Sequence, residues 1–109
     1  MYARHVTLQL KRGIHRDFPR IMDQELLPLL RKQKGFVHEL VFLAPNQIEA
    51  VAISLWEEQE HADKFNREVY PEIVKILQKY TEGTPMVKNF DLQFATVPTF
   101  QSFVKAMAV

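Results

Sequence analysis

The stretch Ile48 to Phe65, IEAVAISLWEEQEHADKF, decides the fold. Its first half reads as a strand with Ile48, Ala50, Ala52, Ser54 and Trp56 on one side and Glu49, Val51, Ile53 and Leu55 on the other. Both sides are apolar or small, and a strand of that kind is normally covered on both faces. At the single tryptophan it turns into a helix whose first turn, Glu57, Glu58, Gln59 and Glu60, is acidic and suits the positive end of the helix dipole. A chain of 109 residues can cover one face with its own helices. The other face needs another cover, most simply a second copy of the chain.

Working outward, Val6, Leu8 and Leu10 alternate with His5, Thr7, Gln9 and Lys11 and predict a half-buried first strand. Asp17 is the expected N-cap of a first helix with Pro19 in its first turn. Phe18, Ile21, Met22, Leu26, Leu29 and Leu30 recur at helical spacing, and Pro28 predicts a kink near Gln24 to Leu27. Arg31, Lys32 and Lys34 suit the helix C-terminus, with Gly35 as its left-handed stop. A second strand runs from Phe36 to Leu43, and Ala44-Pro45-Asn46-Gln47 turns it into the third. The second helix carries Ala62, Phe65, Val69, Ile73, Ile76, Leu77 and Tyr80, broken near Pro71. Gly83-Thr84-Pro85 ends it, and Met86 to Phe94 is expected as the fourth strand.

The order βαββαβ is the ferredoxin-like unit of the α+β class. Right-handed crossovers give a four-stranded antiparallel sheet in the order 4-1-3-2 with two helices on one face. Residues 1–95 form the expected domain. Residues 96–109 form a tail in which Phe100, Phe103, Val104 and Met107 call for an apolar surface on the domain or on a dimer partner. On the open face, His5, Thr7 and Gln9 beside Asn89, Asp91 and Gln93 predict a polar half, with an apolar half on strands 2 and 3.

Composition removes several function classes. Lys and Arg number 14 against 13 Asp and Glu, so a net charge of +1 gives no general pull toward nucleic acid or anionic membrane. Without cysteine there are no disulfides, thiol nucleophiles or thiolate metal sites. No apolar run approaches the roughly 20 residues of a membrane helix, and the first strand is no signal peptide, so a cytoplasmic protein is expected. Lys34-Gly35-Phe36 echoes the start of an RNA-recognition signature. The echo stops at Val37-His38-Glu39 and falls on the wrong strand.

The segments KGFVHELVF, ISLWEEQEHADKF and YPEIVKILQKYTEGTPMVKNFDL resemble the dimeric α+β barrel superfamily, and within it the antibiotic biosynthesis monooxygenase-like domains. The resemblance spans nearly the whole chain except the tail. It implies a homodimer whose sheets face each other, with a small hydrophobic or aromatic ligand held in each subunit near sheet and helices. It also implies a cofactor-independent monooxygenase acting on an aromatic or quinone-like compound. A non-catalytic ligand-binding or accessory protein, or a small isomerase, are the alternatives on the same scaffold. Haem degradation does not fit: the first strand has no Asn, and Phe65 stands where the haem-degrading pattern has a helical Trp.

For ligand binding the candidates are Trp56 and Phe65, with Tyr70 nearby, as aromatic walls for a flat substrate; the alternative places Phe65 in the core and Trp56 under the helix start. His61 shares a helix face with Glu57 but has no third ligand, so no metal site is expected. Candidate catalytic groups are His38, a lone imidazole among Phe36, Leu40 and Phe42, and His5, expected within reach of Asp91 or Asn89 across strands 1 and 4. The alternatives are a structural histidine at a wet interface and a polar network filling the barrel.

Overall fold

A computed structural model describes residues 1–101. Four antiparallel strands, β1 (Tyr2–Leu10), β2 (Phe36–Leu43), β3 (Glu49–Trp56) and β4 (Thr81–Asp91), lie in the order β2-β3-β1-β4. That is the expected 4-1-3-2 order. The helices are α1 (Phe18–Ile21), α2 (Leu27–Arg31), α3 (Gln59–Glu68) and α4 (Tyr70–Leu77), followed by a short α5 (Pro98–Gln101). The alternation of β1 sends Arg4, Val6, Leu8 and Leu10 to the helices, where they are buried. In the register of β3, Arg4 faces Ser54, Val6 faces Ala52 and Leu8 faces Ala50. Small residues at the sheet centre let Phe18, Met22, Leu26, Phe65, Ile73 and Leu77 pack directly on it.

Pro28 lacks the N–H that an unbroken helix would need there. The expected kink takes the form of a π-helical segment, Met22–Leu26, between α1 and α2. Asp17 holds the N-cap position of α1 without a side-chain cap bond. The helix ends at Arg31, so Gly35, at φ 81°, is not its immediate stop but the turn into β2. A Cβ built on Gly35 would overlap the imidazole of His61, and the Gly35 carbonyl accepts a hydrogen bond from the Glu57 N–H at 2.8 Å. Close approach between two segments, rather than helix termination, requires glycine here. At the β2–β3 turn, the Asn46 Oδ1 accepts from the N–H groups of Ile48 and Glu49 at 2.9 and 3.1 Å.

Two expectations are corrected in β4. The strand starts at Thr81 rather than Met86, with Gly83 at φ 71° in a bulge opposite the Thr7–Gln9 register shift, and it ends at Asp91 rather than Phe94. Its pairing sets Asn89 beside Arg4 and Asp91 beside Tyr2 on the helix side. Lys88 faces His5, Met86 faces Thr7 and Phe90 faces Ala3 on the open side. The open face is therefore apolar at both edges, not split into a polar and an apolar half. The polar row of β4 sits toward the helix layer, and both Asn89 and Asp91 stay in solvent there.

Beyond β4 the chain passes to the β2 side of the sheet, where the Phe100 ring lies 5.3 Å from that of His38. Phe103, Val104 and Met107 of the expected tail lie outside the described residues. Among the described residues no helix is long and apolar enough to cross a membrane.

Candidate functional site

The helix layer stands off β2 and opens a cleft of about 510 Å³ between the first helical stretch and that strand. Phe18, Met22, Leu27, Phe36, Val41 and Leu43 give it apolar walls, with His15, Asp23 and Arg31 among its polar groups. Behind it, between the sheet and α4, lies a cavity of about 40 Å³ that Arg4, Glu39, Ser54, Phe65 and Tyr70 line together with aliphatic core residues. Glu39 and Met22 belong to both. The cleft has the volume of a small-molecule site, whereas the inner cavity has room for one small polar group.

Arg4 is the most unusual residue here, a cation only 3% exposed at the centre of the sheet. Its Nη2 donates to the Oδ1 of Asn66 at 2.8 Å. The guanidinium carbon sits 4.4 Å from the centroid of Tyr70 and 5.1 Å from that of Phe65, so it meets ring faces. Burial lowers its pKa, and the Tyr70 and Glu39 groups oppose that shift. Glu39 is half-buried on β2 opposite Ser54; burial pushes its carboxyl up to about 8, with the charge of Arg4 pulling the other way. Burial likewise raises Tyr70, partly offset by the charge of Arg4 and by a side-chain hydrogen bond between the two. The site therefore joins a carboxyl with a raised pKa, a fixed cation and a tyrosine hydroxyl that interacts with that cation, inside aromatic walls.

Of the residues singled out from the sequence, Phe65 and Tyr70 line this cavity. Trp56 is fully buried one layer behind it, stacked between Phe36 at 5.6 Å and Phe65 at 4.9 Å. Its Nε1 donates to the Oγ of Ser54 at 2.9 Å, so it touches the cavity only through Ser54 and Phe65. His61 packs on Gly35 and lines neither space. The expected pairing of His5 with Asp91 or Asn89 does not form: His5 is on the open face, its ring edge-on to Phe90 at 6.1 Å, while both partners are on the helix side. His38 shares the open face with Leu40 and Phe42 but not with Phe36, because a register shift between Phe36 and His38 turns Phe36 to the helix side. His38 is exposed and itself lines the cleft beside Val37 and Glu39.

Sequence reading missed Arg4 and Glu39, although a signal was present. Arg4 is in phase with Val6, Leu8 and Leu10, and Glu39 with Val41 and Leu43, each a charge placed among side chains that face the helices. Asn66 gave no signal, being one polar residue among others on an exposed helix surface.

The arrangement of sheet and helices is the fold of the antibiotic biosynthesis monooxygenase-like domains. A protein from Bordetella bronchiseptica assigned to those monooxygenases superposes with a TM-score of 0.70 at 14% identity, over 85% of this chain and 97% of the other. SnoaB, a cofactor-independent oxygenase from Streptomyces nogalater, gives a TM-score of 0.69 at 14% identity over 89% and 96% of the two chains. The monooxygenase ActVA-Orf6 of Streptomyces coelicolor, solved in complex with nanaomycin D, gives 0.68 at 14% identity over 89% and 91%. No family model matches the sequence, and no curated protein does either.

Proposed function

We propose that this protein is a cofactor-independent oxygenase of a small hydroxylated aromatic compound and works as a homodimer. The observation that carries the reading is the Arg4–Glu39 pair at the junction of an aromatic-walled cavity and a substrate-sized cleft. A flat ring in the cleft would point its hydroxyl at the inner cavity. Glu39 takes the hydroxyl proton, Arg4 holds the oxyanion, and the aromatic walls keep water from quenching it. The electron-rich anion then reduces dioxygen, a C–O bond forms to give a peroxide, and loss of water leaves a quinone. Phenol plus dioxygen gives quinone plus water, and no other reductant is needed. Two structural neighbours being oxygenases supports the same reading.

Oxygen uptake with a panel of naphthols, anthrones and hydroquinones tests it. Glu39→Gln should lower turnover by about 10²-fold or more. Absence of uptake with every such compound would overturn the oxygenase reading. A second reading, an isomerase, is favoured by one observation: a carboxyl poised near 8 beside a fixed cation also suits proton shuttling at an enolisable carbon. Solvent-hydrogen exchange into the substrate without oxygen uptake would select it.

The dimer rests on the open face. Leu40, Phe42, Met86 and Phe90 there are 38, 55, 63 and 52% exposed, so apolar side chains line both edges of one face. A second copy set face to face would bury it, and Phe100, beside His38, would contribute to the same interface.

A further inference from the structure

We infer that Asn66 is a positioning residue that orients Arg4 and leaves its charge uncompensated, so that the inner cavity selects ligands with a monoanionic oxygen head, such as a phenolate or enolate. This extends the reading of the Arg4 cavity given above and rests on it. Arg4 lines two spaces, the inner cavity and a polar cleft of about 240 Å³ between α3 and β4 bounded by Asp63, Asn66 and Asn89. A buried guanidinium ordinarily meets a carboxylate, which fixes its plane and cancels its charge. Here the partner is an amide oxygen, which fixes the plane through the Nη2 bond at 2.8 Å and cancels nothing.

A carboxylate is at hand and is not used. Asp63 lines the same polar cleft, yet the side-chain bond of Arg4 goes to Asn66. From the other elements, Arg4 is faced by Tyr2 on its own strand, Glu39 on β2, Tyr70 on α4 and Asn89 across the β4 register. Of these only Glu39 can neutralise it near pH 7, and burial favours the protonated form of Glu39. An incoming anion therefore meets an unmatched cation, held in plane by an amide and by two aromatic faces.

The test uses 4-nitrophenol, whose absorbance separates phenol from phenolate, with 4-nitroanisole as the neutral control of similar shape. Wild type should lower the pKa of bound 4-nitrophenol by about one unit. The isosteric Asn66→Asp, on an exposed helix position, should abolish that shift and weaken phenolate binding about tenfold, with nitroanisole binding unchanged. Asn66→Gln should retain the depressed pKa. Should Asn66→Asp fail to fold, Asn66→Ala must weaken the phenolate about threefold and spare the anisole. An Asn66→Asp protein that titrates the probe as wild type does, or that weakens both probes alike, overturns the role of Asn66 alone. A wild type that binds the phenolate no better than the anisole overturns the Arg4 cavity reading and this inference together.

Discussion

In the proposed reaction Glu39 is the group whose titration sets the rate. As the general base it must be ionised, so kcat/KM should rise with pH through an apparent pKa of about 8 and level off above it. Arg4 pulls that value down, so Arg4→Met should move the profile to higher pH as well as lower the rate. Stability runs in the opposite sense. The folded protein holds the Glu39 proton more tightly than the unfolded chain does, so stability contributed by this group is complete below the ordinary carboxyl range and is lost as pH rises to about 8. Chemical denaturation at several pH values should show Glu39→Gln gaining on wild type across that window. The gain should reach on the order of 2 kcal/mol at pH 9, after allowing for the partial solvent access of Glu39. A constant difference between the two proteins would show that Glu39 titrates normally. Trp56 acts differently, as a core residue: Trp56→Phe deletes the bond to Ser54 and should cost about 2–3 kcal/mol of stability in the same assay.

Single backbone features place the elements that form the site. The π-helical segment Met22–Leu26 supplies Met22 and Leu26 to the cavity walls, while Pro28 starts the next helical turn. The register shift after Phe36 divides β2: Phe36 packs on Trp56, whereas Glu39 falls opposite Ser54. Gly35, just before it, seats β2 against α3 through His61. Gly35→Ala should therefore destabilise the protein by roughly 2–4 kcal/mol, from left-handed strain together with the overlap on the imidazole. His61→Ala in the same chain should recover the overlap but not the strain. A double-mutant cycle by denaturation measures this, and strict additivity would mean that His61 moves aside without cost.

Across the whole molecule, the proposed dimer makes the open face one half of an interface. Sedimentation at micromolar concentration should give about twice the chain mass, with roughly 800 Å² or more buried per subunit. Met86→Asp with Phe90→Asp should shift the protein to monomer or aggregate, because both side chains stand on that face away from the helices. Truncation after Ala95 removes the residue whose ring lies on His38 and should lower the melting temperature or loosen the dimer. A monodisperse wild-type monomer at high concentration would remove the barrel assembly while leaving the cleft, Arg4 and Glu39 where they are.

Element order, sheet order and the face of β1 that turns to the helices were legible in the chain alone. Those rest on local periodicity and on the handedness of crossovers, both of which act over short stretches of chain. The sequence also brought Phe65 and Tyr70 forward, since an aromatic stripe on an amphipathic helix is a local pattern. The faces that Glu39, Asn89 and Asp91 take depend on how the strands pair. The one-residue shift at Val37 turns over the rest of β2, because a one-residue slip moves a side chain to the opposite face of a sheet. In this way Glu39 was brought to the helix side, where Arg4 also lies. The bulge at Gly83 to Pro85 sets three residues of β4 against one of β1, which adds two and leaves the facing of β4 unchanged. His5 and Asp91 lie on opposite faces because Asp91 pairs with Tyr2 and His5 with Lys88. The Arg4–Asn66 bond joins residues 62 apart in the chain. No periodicity encodes such a pairing; it exists only where a helix end and a strand meet over a common core.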